Sequence, residues 1–112
     1  MKKTILVLIL LSTFSYGQKW QYMFYVTGIN ISDKKTSVFH VINDGKKVGS
    51  VNREIKDDHN IANAKILKQY MGYKYKKAYE IDVLNSLGSI GWELISVEGE
   101  GINKKYFFKR SI

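Results

Sequence analysis

Leu84-Asn85-Ser86-Leu87-Gly88-Ser89-Ile90-Gly91-Trp92-Glu93-Leu94-Ile95-Ser96-Val97 passes from helical to strand spacing without a linker. Ile81, Leu84 and Leu87 recur at three-residue intervals, the spacing of one helix face. Gly91 ends that pattern, because glycine takes at least cost the left-handed backbone that closes a helix. The run that follows is rich in β-branched and large apolar residues, as a strand requires. Tyr106-Phe107-Phe108-Lys109-Arg110 repeats that composition, and Glu98-Gly99-Glu100-Gly101 between the two reads as a solvated hairpin loop. A helix, a glycine stop and two adjoining strands make half of an α+β unit. In this reading Trp92 seals the helix against the sheet, Gly88 lets the two approach closely, and Asn85 hydrogen-bonds backbone at their junction.

Upstream, Trp20, Tyr22, Phe24 and Val26 alternate with Gln21, Met23, Tyr25 and Thr27. Period 2 in such residues predicts a strand, and both residue sets are apolar enough for two covered faces. Asp33-Lys34-Lys35 reads as a turn, residues 38–42 as a second strand and residues 47–51 as a weaker third. Asn43-Asp44-Gly45-Lys46 between those two carries the Asp-Gly pair of a tight hairpin. Asp57-Asp58-His59-Asn60 supplies N-cap residues for a helix whose Ile61, Ala64, Leu67 and Met71 point inward and whose Lys65 and Lys68 point away. The apolar spacing continues through Tyr75 and Ala78, so one long helix is an alternative. Gly72 favours two, because glycine costs about 1 kcal/mol inside a helix. The expected fold is a single α+β domain: an antiparallel sheet of about five strands, in the order β-β-β-α-(α)-β-β, with one or two helices on one face.

The passage Leu84-Asn85-x-Leu87-Gly88-x-x-Gly91-Trp92-Glu93-Leu94-Ile95-Ser96-Val97, closing with Tyr106 and Lys109-Arg110, resembles the small bacterial domain-of-unknown-function family numbered 4177. Trp20-Gln21-Tyr22 resembles that family's opening strand. The likeness is close over residues 80–110 and loose over 19–27, and the central hairpin and first helix are longer than the family's usual connection. The resemblance implies fold and packing, and brings no catalytic residue with it.

Lys2 and Lys3 precede an apolar run over residues 5–11, and Ser15 and Gly17 stand at −3 and −1 of a cut before Gln18. This is the pattern of a secretory signal peptide spanning residues 1–17. The run is far shorter than the ~20 apolar residues of a spanning helix, so export to the periplasm or outside the cell is expected, with no membrane span after cleavage. Removing residues 1–17 leaves 95 residues, 18–112, as one domain, and the loss of Lys2 and Lys3 lowers the formal charge from +8 to +6. That balance favours an anionic partner, and for an exported chain an anionic envelope component or another protein ranks above nucleic acid. The chain has no cysteine, so disulfides, thiol chemistry and a lipidated cysteine are excluded.

Signals for catalysis are sparse. His40 and His59 are the two histidines, and neither lies in a zinc-protease helix or a nucleophile elbow. Asp57-Asp58-His59 has ligand chemistry, but adjacent residues seldom converge on one ion and capping accounts for the acids. Glu93, Glu98 and Glu100 could pair as glycosidase carboxylates do. A non-enzyme without cofactor or metal is therefore expected. The candidate binding surface is Lys65, Lys68, Tyr70, Tyr73, Lys74, Tyr75, Lys76, Lys77 and Tyr79, where five cations without an acid interleave with four tyrosines. Cations attract an anionic partner and tyrosine faces stack on sugars or bases. The alternatives are a homo-oligomer or a sheet-completing subunit that uses an edge of the residue 20–31 strand, and, more remotely, a small hydrolase.

Overall fold

The computed structural model describes residues 19–32 and 35–112. The signal-peptide reading of residues 1–17 and the turn at Asp33 and Lys34 lie outside the described residues. Strands β1 (Trp20–Ser32), β2 (Lys35–Asn43) and β3 (Val48–Glu54) come first. Helices α1 (His59–Met71) and α2 (Glu80–Ser89) follow, then β4 (Glu93–Glu100) and β5 (Asn103–Ser111). The strands form one antiparallel sheet in the order β3-β2-β1-β5-β4, with both helices packed against it. The fold is α+β, with two helices rather than one.

The order follows from joining a three-strand meander to a C-terminal hairpin. β1 and β5 make the join, with Tyr25 opposite Tyr106 and Phe24 opposite Phe107. β1 is thus the middle strand, which corrects the expectation that it offers an edge. Its alternation does not decide this, because successive side chains point to the two faces of the sheet rather than toward the neighbouring strands. The free edges belong to β3 and β4. On β3, the Gln69 side chain of α1 accepts the Ser50 N–H at 2.9 Å and donates to the Ser50 carbonyl at 3.1 Å. β4 is exposed along its length and carries Glu93, Glu98 and Glu100.

Met23, Tyr25, Ile42, Tyr106 and Phe108 line the covered face and meet Ile66, Leu67, Val83 and Leu87. The buried stripe of α1 is Ala62, Asn63, Ala64, Ile66, Leu67 and Tyr70, so Ile61 is exposed rather than inward. On α2, Ile81 is likewise exposed and Val83 takes its place. The rest of the expected inward sets hold: Ala64 and Leu67 on α1 and Leu87 on α2 are in the core, Met71 and Leu84 pack against it, and only Ile61 and Ile81, near the start of each helix, face away. Buried Asn63 links these layers. Its Oδ1 accepts the Tyr25 hydroxyl at 2.7 Å and its Nδ2 donates to the Ala78 carbonyl at 3.2 Å.

The corner after α2 closes as the glycine and tryptophan suggest. Gly91 has φ +98°, its N–H donates to the Gly88 carbonyl at 3.0 Å, and the Trp92 N–H donates to the Leu87 carbonyl at 3.2 Å. This is the Schellman bonding pattern, and its apolar contact is between Leu87 and Trp92, both buried. Trp92 is 4 % exposed, lies beneath the Arg110 guanidinium at 4.1 Å, and donates from Nε1 to the Tyr70 hydroxyl at 3.2 Å. Two expected roles are corrected. A Cβ on Gly88 would meet nothing within 4 Å, so close approach does not need that glycine. Asn85 is exposed, and no side-chain hydrogen bond ties it to the corner among the described residues.

The Asp-Gly hairpin also does more than turn the chain. Asp44 is buried; its Oδ1 accepts the Lys46 and Lys47 N–H groups, and its Oδ2 accepts the Tyr70 hydroxyl at 2.8 Å. Burial works against the charge, but these donors outweigh it and hold the carboxyl below its usual range. A relay thus runs from Trp92 through Tyr70 to Asp44. Tyr70→Phe leaves an indole N–H and a carboxylate oxygen short of a partner, and is expected to cost about 1–3 kcal/mol. Urea denaturation checks this; a midpoint equal to the wild type would show the relay contributes nothing.

Candidate functional site

Residues 72–79 leave α1 and return along it before α2 begins. Gly72 makes the exit, at φ +76°, with its N–H on the Lys68 carbonyl at 3.0 Å. Ala78 anchors the return, donating to the Asn60 carbonyl at 2.9 Å. Between these anchors the segment and the outer face of α1 enclose a cleft of about 750 Å3. Ile61, Ala64, Lys65 and Lys68 share its helical wall, Ile61 standing three and four residues before Ala64 and Lys65, and Lys68 four and three after them. Tyr73, Lys74, Tyr75, Lys76 and Lys77 form the opposite wall. The fold therefore brings seven of the nine expected binding residues around one hollow.

The other two lie elsewhere. Tyr70 is 5 % exposed and committed to Asp44 and Trp92; burial and the Asp44 carboxylate push its phenol up to about 12. Helical phase decides this: residues 66, 67 and 70 share the inward face while 65 and 68 face out. Tyr79 is exposed but serves as the N-cap of α2, where its N–H donates to Asp82, and it does not line the cleft. Ile61, which the sequence assigns to the core, is exposed instead and gives the cleft an apolar base together with the edge of Ala64, which is buried in the core as expected.

Within the cleft, Tyr73 and Tyr75 meet edge to face at 5.5 Å, and the Tyr73 hydroxyl donates to the Lys77 carbonyl at 3.1 Å. Tyr75 is 75 % exposed, so its ring is open to a ligand. Lys77 pairs with Asp58 at 3.2 Å. Among the described residues, no acid lies within 4.0 Å of the amines of Lys65, Lys68, Lys74 or Lys76.

A second polar cluster lies at the helix N-termini. Asp58 caps α1, accepting the Asn60 N–H at 2.8 Å. His59, next in the chain, stands 5.0 Å from His40 between ring centroids. Arg53 bridges them: its Nε donates to His40 Nε2 at 2.9 Å, and its Nη2 lies 2.9 Å from His59 Nδ1. A guanidinium only donates, so these nitrogens accept and the His40 proton sits on Nδ1. That Nδ1 is buried without a partner among the described residues. Burial, then the charges of His59 and Arg53, hold His40 down at about 4. Burial first, and Arg53 next, also lower His59. Nearby, Glu80 accepts from the Tyr106 hydroxyl and pairs with Lys104 at 3.3 Å. No pattern in the chain marks Arg53 as the link between the two histidines. Glu93, Glu98 and Glu100 lie on β4, separated from β2 by β1 and β5. Among the described residues, no group of three or more His, Asp or Glu side chains is placed to hold a metal ion, and no helix is long and apolar enough to cross a membrane.

Comparison with known proteins found no matching family model, no matching curated protein and no matching solved structure.

Proposed function

We propose that this chain is an exported, non-enzymatic binding module whose lysine–tyrosine cleft receives an anionic partner, either an envelope component or the acidic surface of another protein. The carrying observation is the convergence of five lysines and two tyrosines on one hollow, with four of the amines free of acidic neighbours among the described residues. Lysines with unpaired amines supply long-range attraction, and an open phenol ring beside an apolar base supplies contact once the partner arrives. The leader-like residues 1–17 support export, and the glycine–tryptophan corner supports kinship with the domain family numbered 4177.

The histidine cluster fits a structural role better than a hydrolytic one. A general base needs a free lone pair within reach of substrate. His40 is 0 % exposed, and Arg53 occupies an acceptor nitrogen on both rings.

The test is binding to a sulfated polysaccharide and to vesicles of anionic lipid at about 20 and 150 mM salt. Lys74, Lys76 and Lys77 are exposed, so changing all three to glutamine leaves the core untouched. The triple variant is expected to bind roughly tenfold more weakly at low salt and to lose much of the salt dependence, since surface charge attraction is screened over a Debye length. Unchanged binding of both probes at low salt would remove the cleft as the site.

A further inference from the structure

The helices cover one face of the sheet, and no described element covers the other. That open face is not the polar surface of an ordinary two-layer domain. Phe24 and Phe107 lie side by side at its centre, with Val26 and Val41 in the next row. Phe39 lies across Gly28, where a Cβ would come within 2.7 Å of the ring. Tyr22 is 60 % and Ile95 46 % exposed, and with the central aromatics they border a hollow of about 680 Å3. A second hollow, of about 310 Å3, surrounds Gly28 and Asn103.

We infer that this face is the seat of a second copy of the same chain, packed sheet against sheet. Three observations favour a copy over other occupants. The first is charge: Glu93 stands opposite Lys109 and Glu98 opposite Lys105 in register, so these rows cancel on a chain whose net charge is +8, or +6 without residues 1–17. Two such faces meet without the repulsion that other surfaces of this basic chain would suffer, whereas an anionic partner finds no cationic patch here. The second is extent. Five strands about 4.8 Å apart, over the rows from Tyr22 to Gly28, give roughly 20 by 24 Å, hence about 1,000 Å2 for a pair, the threshold of a specific interface. The third is the state of the edges. Gln69 occupies the outer backbone groups of Ser50 on β3, and a register shift between Leu94 and Ser96 interrupts β4, which breaks the regular row of groups that another edge would need. Assembly by face thus remains where assembly by edge is blocked.

The contact is isologous, and its two-fold axis lies in the plane between the sheets. An axis across the strands, level with Tyr25, brings Phe24 of each copy over Val26 of the other. It also brings Tyr22, the most protruding aromatic of this face, over the hollow at the partner's Gly28. Aligned sheets cross at about −30°, so these side chains interleave rather than collide.

Sedimentation velocity of the purified protein from about 1 to 200 µM tests this, with circular dichroism confirming the fold of each variant. The wild type is expected to dimerise within that range. The double variant Tyr22→Glu, Ile95→Lys is expected to stay monomeric with an unchanged spectrum. The triple glutamine variant of Lys74, Lys76 and Lys77 is expected to dimerise like the wild type, which separates this surface from the cleft. A wild type monomeric throughout, or a double variant that still dimerises, would overturn the inference.

Discussion

Trp92→Ala is expected to destabilise the protein by about 3–5 kcal/mol, the range for deleting a large buried aromatic. In a domain of this size that lowers Tm by roughly 15–30 °C. Three losses coincide at this residue. The cavity opens beside Leu87 in the core, the Arg110 guanidinium loses the ring beneath it, and the Tyr70 hydroxyl loses the indole that donates to it. Trp92→Phe separates these, keeping most of the ring and removing the N–H, and should cost about 1 kcal/mol for the hydrogen bond alone. Urea denaturation measures both. An alanine variant within about 1 kcal/mol of the wild type would mean that the corner does not hold α2 to the sheet.

Acidification from pH 7 to 4 is expected to remove about 3 kcal/mol through His40 alone, because each tenfold difference in proton affinity between folded and unfolded chains is worth about 1.4 kcal/mol. The unfolded imidazole titrates near 6.5, and the folded one is held at about 4 by burial, then by the charges of His59 and Arg53. Between those values the unfolded chain takes up a proton that the native protein refuses. The stability is therefore complete above pH 6.5 and fades as the pH falls toward 4. His59, lowered by burial and then by Arg53, acts with the same sign. Asp44, held below the usual carboxylate range, adds its share only at still lower pH. His40→Gln keeps an acceptor near Arg53 but cannot titrate in this window, so its unfolding midpoint should change much less between pH 6.5 and 4. Parallel midpoint curves for variant and wild type would exclude His40 as the source.

Local signals carry most of the architecture. Gly72 and Gly91 sit where each helix must stop, and Asp58 sits where one must start, because a cap acts on backbone groups within a few residues. The alternation of residues 20–27 marks a strand with two apolar faces, although not its place in the sheet. That place depends on β5, roughly eighty residues away, pairing with β1, a long-range match that no local pattern encodes. The same distance hides the histidine cluster: His40, Arg53 and His59 lie on three different elements and meet only through sheet register and the docking of α1. The cleft is legible because it is local, built from one helix face and the segment that returns along it. Tyr70 belongs to the core rather than the cleft through one step of helical phase, a step that composition does not register.

Asn63 gives the cleft a thermodynamic character. By fastening the Ala78 carbonyl to the Tyr25 hydroxyl, it moors the lysine-bearing segment to the rigid middle of the sheet. A partner then meets a segment whose conformational freedom was surrendered at folding, so little ordering entropy is left to lose on contact. Calorimetry of such a complex would register a modest heat-capacity change, without the large negative value of a loop that folds around its guest.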